Sequence, residues 1–173
     1  MPYRGSCADT GLQSLNVRSS TMTRISNVNA LIRLKAILAS EGVRASICYL
    51  NSLTGHRFSA VFRFDGNQLQ SLIYFDRLNP QVLSCPEIPV QASYCYFVRE
   101  ANAPFTTEDA QHDDRLGDHP QRHIVQSYCG TPLFDEDGEL LGSICHFDFS
   151  PNQTTQVDLE LLECMASILQ KRL

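Results

Sequence analysis

The stretch that most constrains the fold is SYCGTPLFDEDGELLGSICHFD, from Ser127 to Asp148. Two apolar runs, Tyr128 to Phe134 and Leu140 to Phe147, flank Asp137-Gly138. Asp-Gly is a strong hairpin signal because both residue types accept the positive φ that a tight turn demands. Gly142 and Ser143 read as small interruptions in the second run. Pro132 has no N–H to give to a ladder, so it is expected at an edge or a bulge. A hairpin alone buries too little apolar surface to be stable, so the rest of the chain must supply a layer against it.

That layer is legible on both sides of the hairpin. Residues 1–21 are polar, rich in Ser and Thr and without apolar period, and are expected to form a flexible tail, with Met22 as an alternative start. Ile25, Val28, Leu31, Ile32, Leu34, Ile37 and Leu38 make a wide apolar stripe that predicts a helix over 24–40, stopped at Gly42. A second helix is expected over 43–53. RFSAVFRF (57–64) and QLQSLIYF (68–75) read as strands around Asp65-Gly66-Asn67, with a loop over 76–85. A short helix over 92–100 and a short strand over 105–107 follow, then a loop dense in Asp and His over 108–121. Beyond Ser150-Pro151-Asn152, Thr155 and Asp158 form a capping-box variant. The helix that they open carries Leu161, Leu162, Met165, Ile168 and Leu169 on one face and ends in Lys171-Arg172. The predicted class is α+β: an antiparallel sheet of five or more strands, the N- and C-terminal helices on one face, and segment 76–126 over the other. One domain over 22–173 accommodates all of it.

Composition narrows the function classes. Net charge is −5 with no Lys/Arg run, which argues against a nucleic-acid surface. No apolar run approaches the ~20 residues of a membrane span, and the N-terminus lacks the apolar centre of a secretory signal. A cytoplasmic location is the expectation. Seven cysteines without an export signal point to free thiols rather than a disulfide framework. Cys48, Cys145 and Cys164 lie in apolar runs and are expected as small core residues.

SYCGTPL, the turn and GELLGSICHFD together resemble the closing hairpin of GAF domains. A helix before LTGHRFSAVFRFD, then IPVQASYCYFVREANAPFTTEDA and the loop DDRLGDHP, extend the likeness over roughly 22–173. The resemblance implies a GAF-like fold with a ligand pocket between the sheet and segment 76–126. It implies a sensory or regulatory domain without catalysis of its own, signalling through its terminal helices. The first helix of such domains often pairs with the C-terminal helix and with a second subunit. A homodimer through helices 24–40 and 155–171 is therefore expected, besides a small-molecule ligand whose identity the sequence does not give.

For a noncovalent pocket, the expected walls are Tyr74, Phe75, Tyr94, Phe97 and Tyr128. Asp109, Arg115, His119 and His123 are the expected polar contacts from the covering loop. Each of these has a plainer reading as core or loop bracing. Cys85-Pro-Glu-Ile-Pro-Val-Gln-Ala-Ser-Tyr-Cys95 resembles the free methionine-R-sulfoxide reductases, which implies thiol chemistry at Cys85, Cys95 and Cys129 as the alternative. That family's nucleophilic cysteine, twelve residues before the Leu of a Pro-Leu pair, falls on Gln121. His119 and His123, four apart, could hold Zn²⁺ with Cys129 or Asp118, but Pro120 opposes a helix across the pair. The Cys-His neighbours of bilin-binding GAF domains are absent, and Glu87-Ile88-Pro89 only echoes their Asp-Ile-Pro. A ligand-free interaction module with a filled pocket is the third reading.

Overall fold

The computed structural model describes residues 27–172. The expected tail over 1–21, Met22 and the first residues of the first helix lie outside that range.

Helix α1 is described over 27–41, and α2 spans Val43–Ser52. The two meet at Gly42, whose φ of 89° lies in the left-handed region that favours glycine. Six strands follow: β1 (Phe58–Asp65), β2 (Gln68–Asp76), β3 (Ile88–Pro89), β4 (Phe105–Thr107), β5 (Ser127–Phe134) and β6 (Leu140–Asp148). Helix α3 (Cys95–Ala101) lies between β3 and β4, and α4 (Gln156–Leu169) follows β6. The strands form one antiparallel sheet in the order β3-β2-β1-β6-β5-β4. The hairpin β5–β6 and the hairpin β1–β2 therefore join at β1–β6, the seam of the sheet.

Strand alternation divides the sheet into two packed faces. On the first, Val61, Cys129, Leu133 and Ile144 pack against Leu34, Leu38, Ile47 and Leu50 of α1 and α2 and Leu161, Leu162, Met165 and Leu169 of α4. On the second, Ala60, Phe62, Leu69, Tyr128 and Cys145 face Val90, Tyr94, Cys95, Val98, Ala110 and Leu116 from the segment between β2 and β5. The two-layer expectation holds, with the helices on one face and the connecting segment on the other.

Local details follow from residue chemistry. Thr155 accepts from the Asp158 N–H at 3.2 Å while Asp158 accepts from the Thr155 N–H at 2.8 Å, a complete capping box that opens α4. Pro132 pairs with Ser143 on its β6 side, and β4 stops opposite Gly130, so no ladder asks for the missing N–H. The hairpin turn corrects the expectation of positive φ at both Asp137 and Gly138. Only Gly138 has positive φ, at 82°, and the turn runs from Asp135 to Glu139. The Asp135 carboxylate accepts from the N–H groups of Asp137 and Glu139, both at 2.9 Å, so the first acid of the turn organises it.

Candidate functional site

The second face of the sheet encloses a cavity of about 300 Å³. Its floor is built by cavity-facing residues of three strands: Phe62 from β1, Leu69 and Tyr74 from β2, and Cys145 and Phe147 from β6, with Tyr128 from β5 beside them. Cys85, Pro86 and Ile88 close the β3 edge, and Ser93, Tyr94 and Cys95 enter from the start of α3. Gln121, Ile124 and Val125 form the roof, and Phe149 stands at the rim. Among the described residues the lining contains no Asp, Glu, Lys, Arg or His.

The aromatic walls are held by one another. Phe58 stacks on Phe147 at 4.7 Å between ring centroids and leans on Tyr74 at 5.9 Å. Tyr94 stands edge-on to Tyr128 at 5.8 Å, and its hydroxyl donates to the Val125 carbonyl at 3.0 Å, which ties α3 to the roof. The Tyr128 hydroxyl donates to the Cys95 sulfur at 3.4 Å. Tyr128 can lie flat along the sheet because residue 130 is glycine: a Cβ there would collide with the Tyr128 hydroxyl and ring. Burial pushes the phenols of Tyr74 and Tyr94 up to about 12, so both remain neutral donors at physiological pH.

Of the expected pocket residues, Tyr74, Tyr94 and Tyr128 line the cavity, as do Cys85 and Cys95. Phe75 does not, because neighbours on a strand point to opposite faces. With Tyr74 at the cavity, Phe75 packs on the helix-covered face. Cys129 is separated from Cys85 and Cys95 for the same reason. It lies beside the cavity residue Tyr128 but faces α4, and burial holds its thiol up at about 12. The three thiols do not form one site.

The loop residues brace the loop. Phe97 stacks on Phe105 at 4.6 Å behind the cavity. Asp109 accepts from the Gln111 N–H at 3.1 Å and holds His112 at 2.7 Å. Arg115 forks onto Asp113, donates to the Thr106 carbonyl at 2.6 Å and lies over the Phe105 ring. His119 packs on Tyr94 at 4.9 Å, with Nδ1 accepting from the Gln121 N–H at 3.2 Å, and burial lowers its pKa. His123 is exposed. Among the described residues, no group of three or more His, Cys, Asp or Glu side chains is placed to hold a metal ion. His119 and Cys129 lie on different layers of the fold.

Phe62, Phe147, Phe149, Cys145 and the roof residues Gln121, Ile124 and Val125 were not expected at the site. For β6 the signal was available, since 143, 145 and 147 alternate with 144 and 146 along one strand. The roof is irregular backbone with no period to read. Gln121, the position of the reductase nucleophile, does reach the cavity, but it offers an amide where sulfoxide attack requires a thiolate.

The fold is an antiparallel sheet with helices on one face and a cavity-forming segment on the other. The family model for the GAF domain matches residues 25–173, and the chain belongs to that family. No curated protein matches it. Among solved structures it is similar to the GAF domain of Acinetobacter phosphoenolpyruvate-protein phosphotransferase, with a TM-score of 0.68 at 12% identity, over 84% of this chain and 90% of that one. The free methionine-R-sulfoxide reductase of Neisseria meningitidis, solved with its substrate, gives a TM-score of 0.67 at 18% identity, over 99% and 94%. The phycocyanobilin-bound GAF domain of a cyanobacterial phytochrome gives 0.59 at 14% identity, over 83% and 93%. At these identities the likeness is one of fold.

Proposed function

We propose that this GAF domain is a sensor whose cavity takes up a small, uncharged and largely apolar molecule, and that occupancy is passed on through α1 and α4. The observation that carries this reading is the wall itself: six aromatic rings, three cysteines and no carboxylate, ammonium, guanidinium or imidazole around about 300 Å³. An anionic ligand would meet no counter-charge in this low-dielectric site, at a cost of several kcal/mol. A zwitterion such as free methionine sulfoxide has no counter-charges here, and Cys129 is on the far side of the sheet. An open cavity also speaks against a filled interaction module. The route outward is short, because Tyr128 and Cys145 on the cavity face alternate with Cys129 and Ile144 beneath α4. A ligand that shifts β5 or β6 shifts the floor on which α4 rests.

The chain has no Trp, so indole serves as its own fluorescent probe. Indole is expected to bind saturably with a blue-shifted emission, and indole-3-carboxylate at least ~10-fold more weakly. Ile124 is half-exposed at the cavity roof, where a new charge is tolerated by the fold. Ile124→Glu is expected to lower indole affinity by about 10-fold or more. Equal binding of indole and its carboxylate, or no binding of either, overturns the reading.

The proposal includes a homodimer and a cytoplasmic setting. Val28 and Ile32, one turn apart on α1, are 56% and 61% exposed, and Asn27 of α1 donates to Glu160 of α4 at 3.1 Å. A dimer through this pair of helices covers the two side chains. Light scattering on a sizing column is expected to give twice the monomer mass for the wild type and the monomer mass for Ile32→Glu. A monomeric wild type contradicts it. The cytoplasmic setting is supported by six described cysteines that are all free, and among the described residues no helix is long and apolar enough to cross a membrane.

A further inference from the structure

At the inner end of the cavity, Cys95 at the start of α3 and Cys145 of β6 lie in one buried cluster, packed together with Tyr128. Both are closed off from bulk solvent, at 2% and 0% exposure, and both line the cavity. Donors converge on the Cys95 sulfur. The Tyr128 hydroxyl reaches it at 3.4 Å, and the hydroxyls of Ser143 and Ser93 face it. Ser143 is completely buried, and its Oγ has no hydrogen-bond partner. A buried hydroxyl in that state costs free energy unless something at the site accepts from it.

The surroundings separate the two thiols in kind. Burial would push the Cys95 thiol up, but the polar groups gathered around it, Cys145 first and then the hydroxyls of Ser143, Ser93 and Tyr128, outweigh it and hold the thiol below its ordinary range. Burial and the adjoining Cys95 push Cys145 well up, so it stays protonated. One thiolate beside one thiol is the arrangement from which a disulfide forms stepwise. Cys129 has no part in it, since it faces α4. Cys85 lies in the cavity wall, is only half-buried, and burial raises its thiol.

We propose that Cys95 and Cys145 form a redox site, in which a hydroperoxide admitted by the apolar cavity converts the pair into an intramolecular disulfide. The Cys95 thiolate attacks the distal peroxide oxygen. An S–O bond forms, the O–O bond breaks, and the leaving oxygen takes a proton to give an alcohol, or water from hydrogen peroxide. The Cys145 sulfur then attacks the sulfenic sulfur, the S–S bond forms, and hydroxide leaves with the Cys145 proton as water. The two sulfurs give up two electrons and the peroxide accepts them. The disulfide ties α3 to β6 across the cavity floor, the strand that ligand binding is proposed to move. The chemistry itself stands apart from the ligand reading, because the two thiols meet whether or not indole binds.

The test is carried out on the full chain. Reduced protein is treated with one equivalent of hydrogen peroxide, the remaining thiols are blocked with N-ethylmaleimide, and the digest is mapped by mass spectrometry. The expected result is a single cross-linked peptide pair joining Cys95 to Cys145, with a loss of about 2 Da from the intact chain. In Cys145→Ser, dimedone labelling of Cys95 is expected to rise several-fold over the wild type, because the sulfenic acid is no longer resolved. In Cys95→Ser, oxidation at Cys145 is expected to disappear at the same dose, with the circular dichroism spectrum checked for a retained fold. A Cys85–Cys95 cross-link, no cross-link in the wild type, or undiminished Cys145 oxidation in Cys95→Ser overturns the proposal.

Discussion

Replacing Gly142 by alanine is expected to cost about 3 kcal/mol of folding stability, the upper end for overpacking a well-filled site. Gly142 lies opposite Arg63 on the β1–β6 ladder. A Cβ at 142 would collide with the Phe62 carbonyl oxygen and come within 2.9 Å of the Phe62 carbonyl carbon and 3.0 Å of the Arg63 Cα. These are backbone atoms in the middle of a sheet and have no rotamer by which to move aside. Relief can come only by parting β1 from β6, and that ladder is what joins the two hairpins into one sheet. Gly138→Ala is the matching control, because φ is 82° there and nothing lies within 4 Å of the added carbon. Its cost is the conformational one alone, about 1 kcal/mol. Urea unfolding of the two variants tests the difference. A midpoint for Gly142→Ala no lower than that of Gly138→Ala would contradict the steric account.

Acid is expected to unfold the protein through two histidines that have no part in the cavity. His56 and His146 are both fully buried on the helix-covered side, with ring centroids 6.1 Å apart. Nδ1 of His146 shares a hydrogen bond with Ser59 Oγ at 2.6 Å, and Nδ1 of His56 with Thr54 Oγ1 at 2.9 Å. Burial lowers the pKa of both, that of His146 to about 3. For His146 the nearby His56 adds to the shift, Asp158 opposes it and Arg77 reinforces it. In the unfolded chain both imidazoles return to about 6.5. The unfolded state therefore takes up protons first as the pH falls. The stability held by keeping His146 neutral is complete above about pH 6.5 and is lost between there and about pH 3, up to about 5 kcal/mol for this one group. Asp76, whose carboxylate is held well below the usual range by the Arg57 guanidinium, acts in the same direction but only at lower pH. Between pH 6.5 and 4.5 the histidines act alone. His146→Asn is expected to reduce the pH slope of the unfolding free energy in that interval, leaving the part that His56 and the partly buried His119 contribute. An unchanged slope would show that His146 is not held neutral.

The fold was largely legible because its signals are local. The apolar stripe ending at Gly42, the Thr155–Asp158 cap and the alternation in RFSAVFRF each concern residues a few positions apart. The turn residue Asp135 was missed because its two acceptor bonds organise a longer loop than Asp-Gly alone suggests. The candidate site was half legible. Tyr74, Tyr94 and Tyr128 were placed at the cavity, yet Phe75 was joined to them, and Cys129 to Cys85 and Cys95, against the two-residue period that the strands themselves display. Gly130 and Gly142 carry no local message at all: one makes room for the ring of Tyr128, the other for a neighbouring strand's carbonyl. Both requirements exist only once the sheet is assembled. Asp109, Arg115, His119 and His123 stood out because polar side chains in a loop suggest ligands. The first three are engaged in holding that loop, and the fourth points to solvent.

The central claim is that the face of the sheet opposite the helices receives a small uncharged molecule. A two-dimensional ¹H–¹⁵N NMR titration of the labelled protein with indole tests it most directly, because every assigned amide reports separately. The account predicts saturable shifts concentrated at Cys95, Ile124, Tyr128 and Cys145, with weaker changes following along α4. Saturable shifts confined to α1, α2 and the outer face of α4, or no saturable shifts at all, would contradict it.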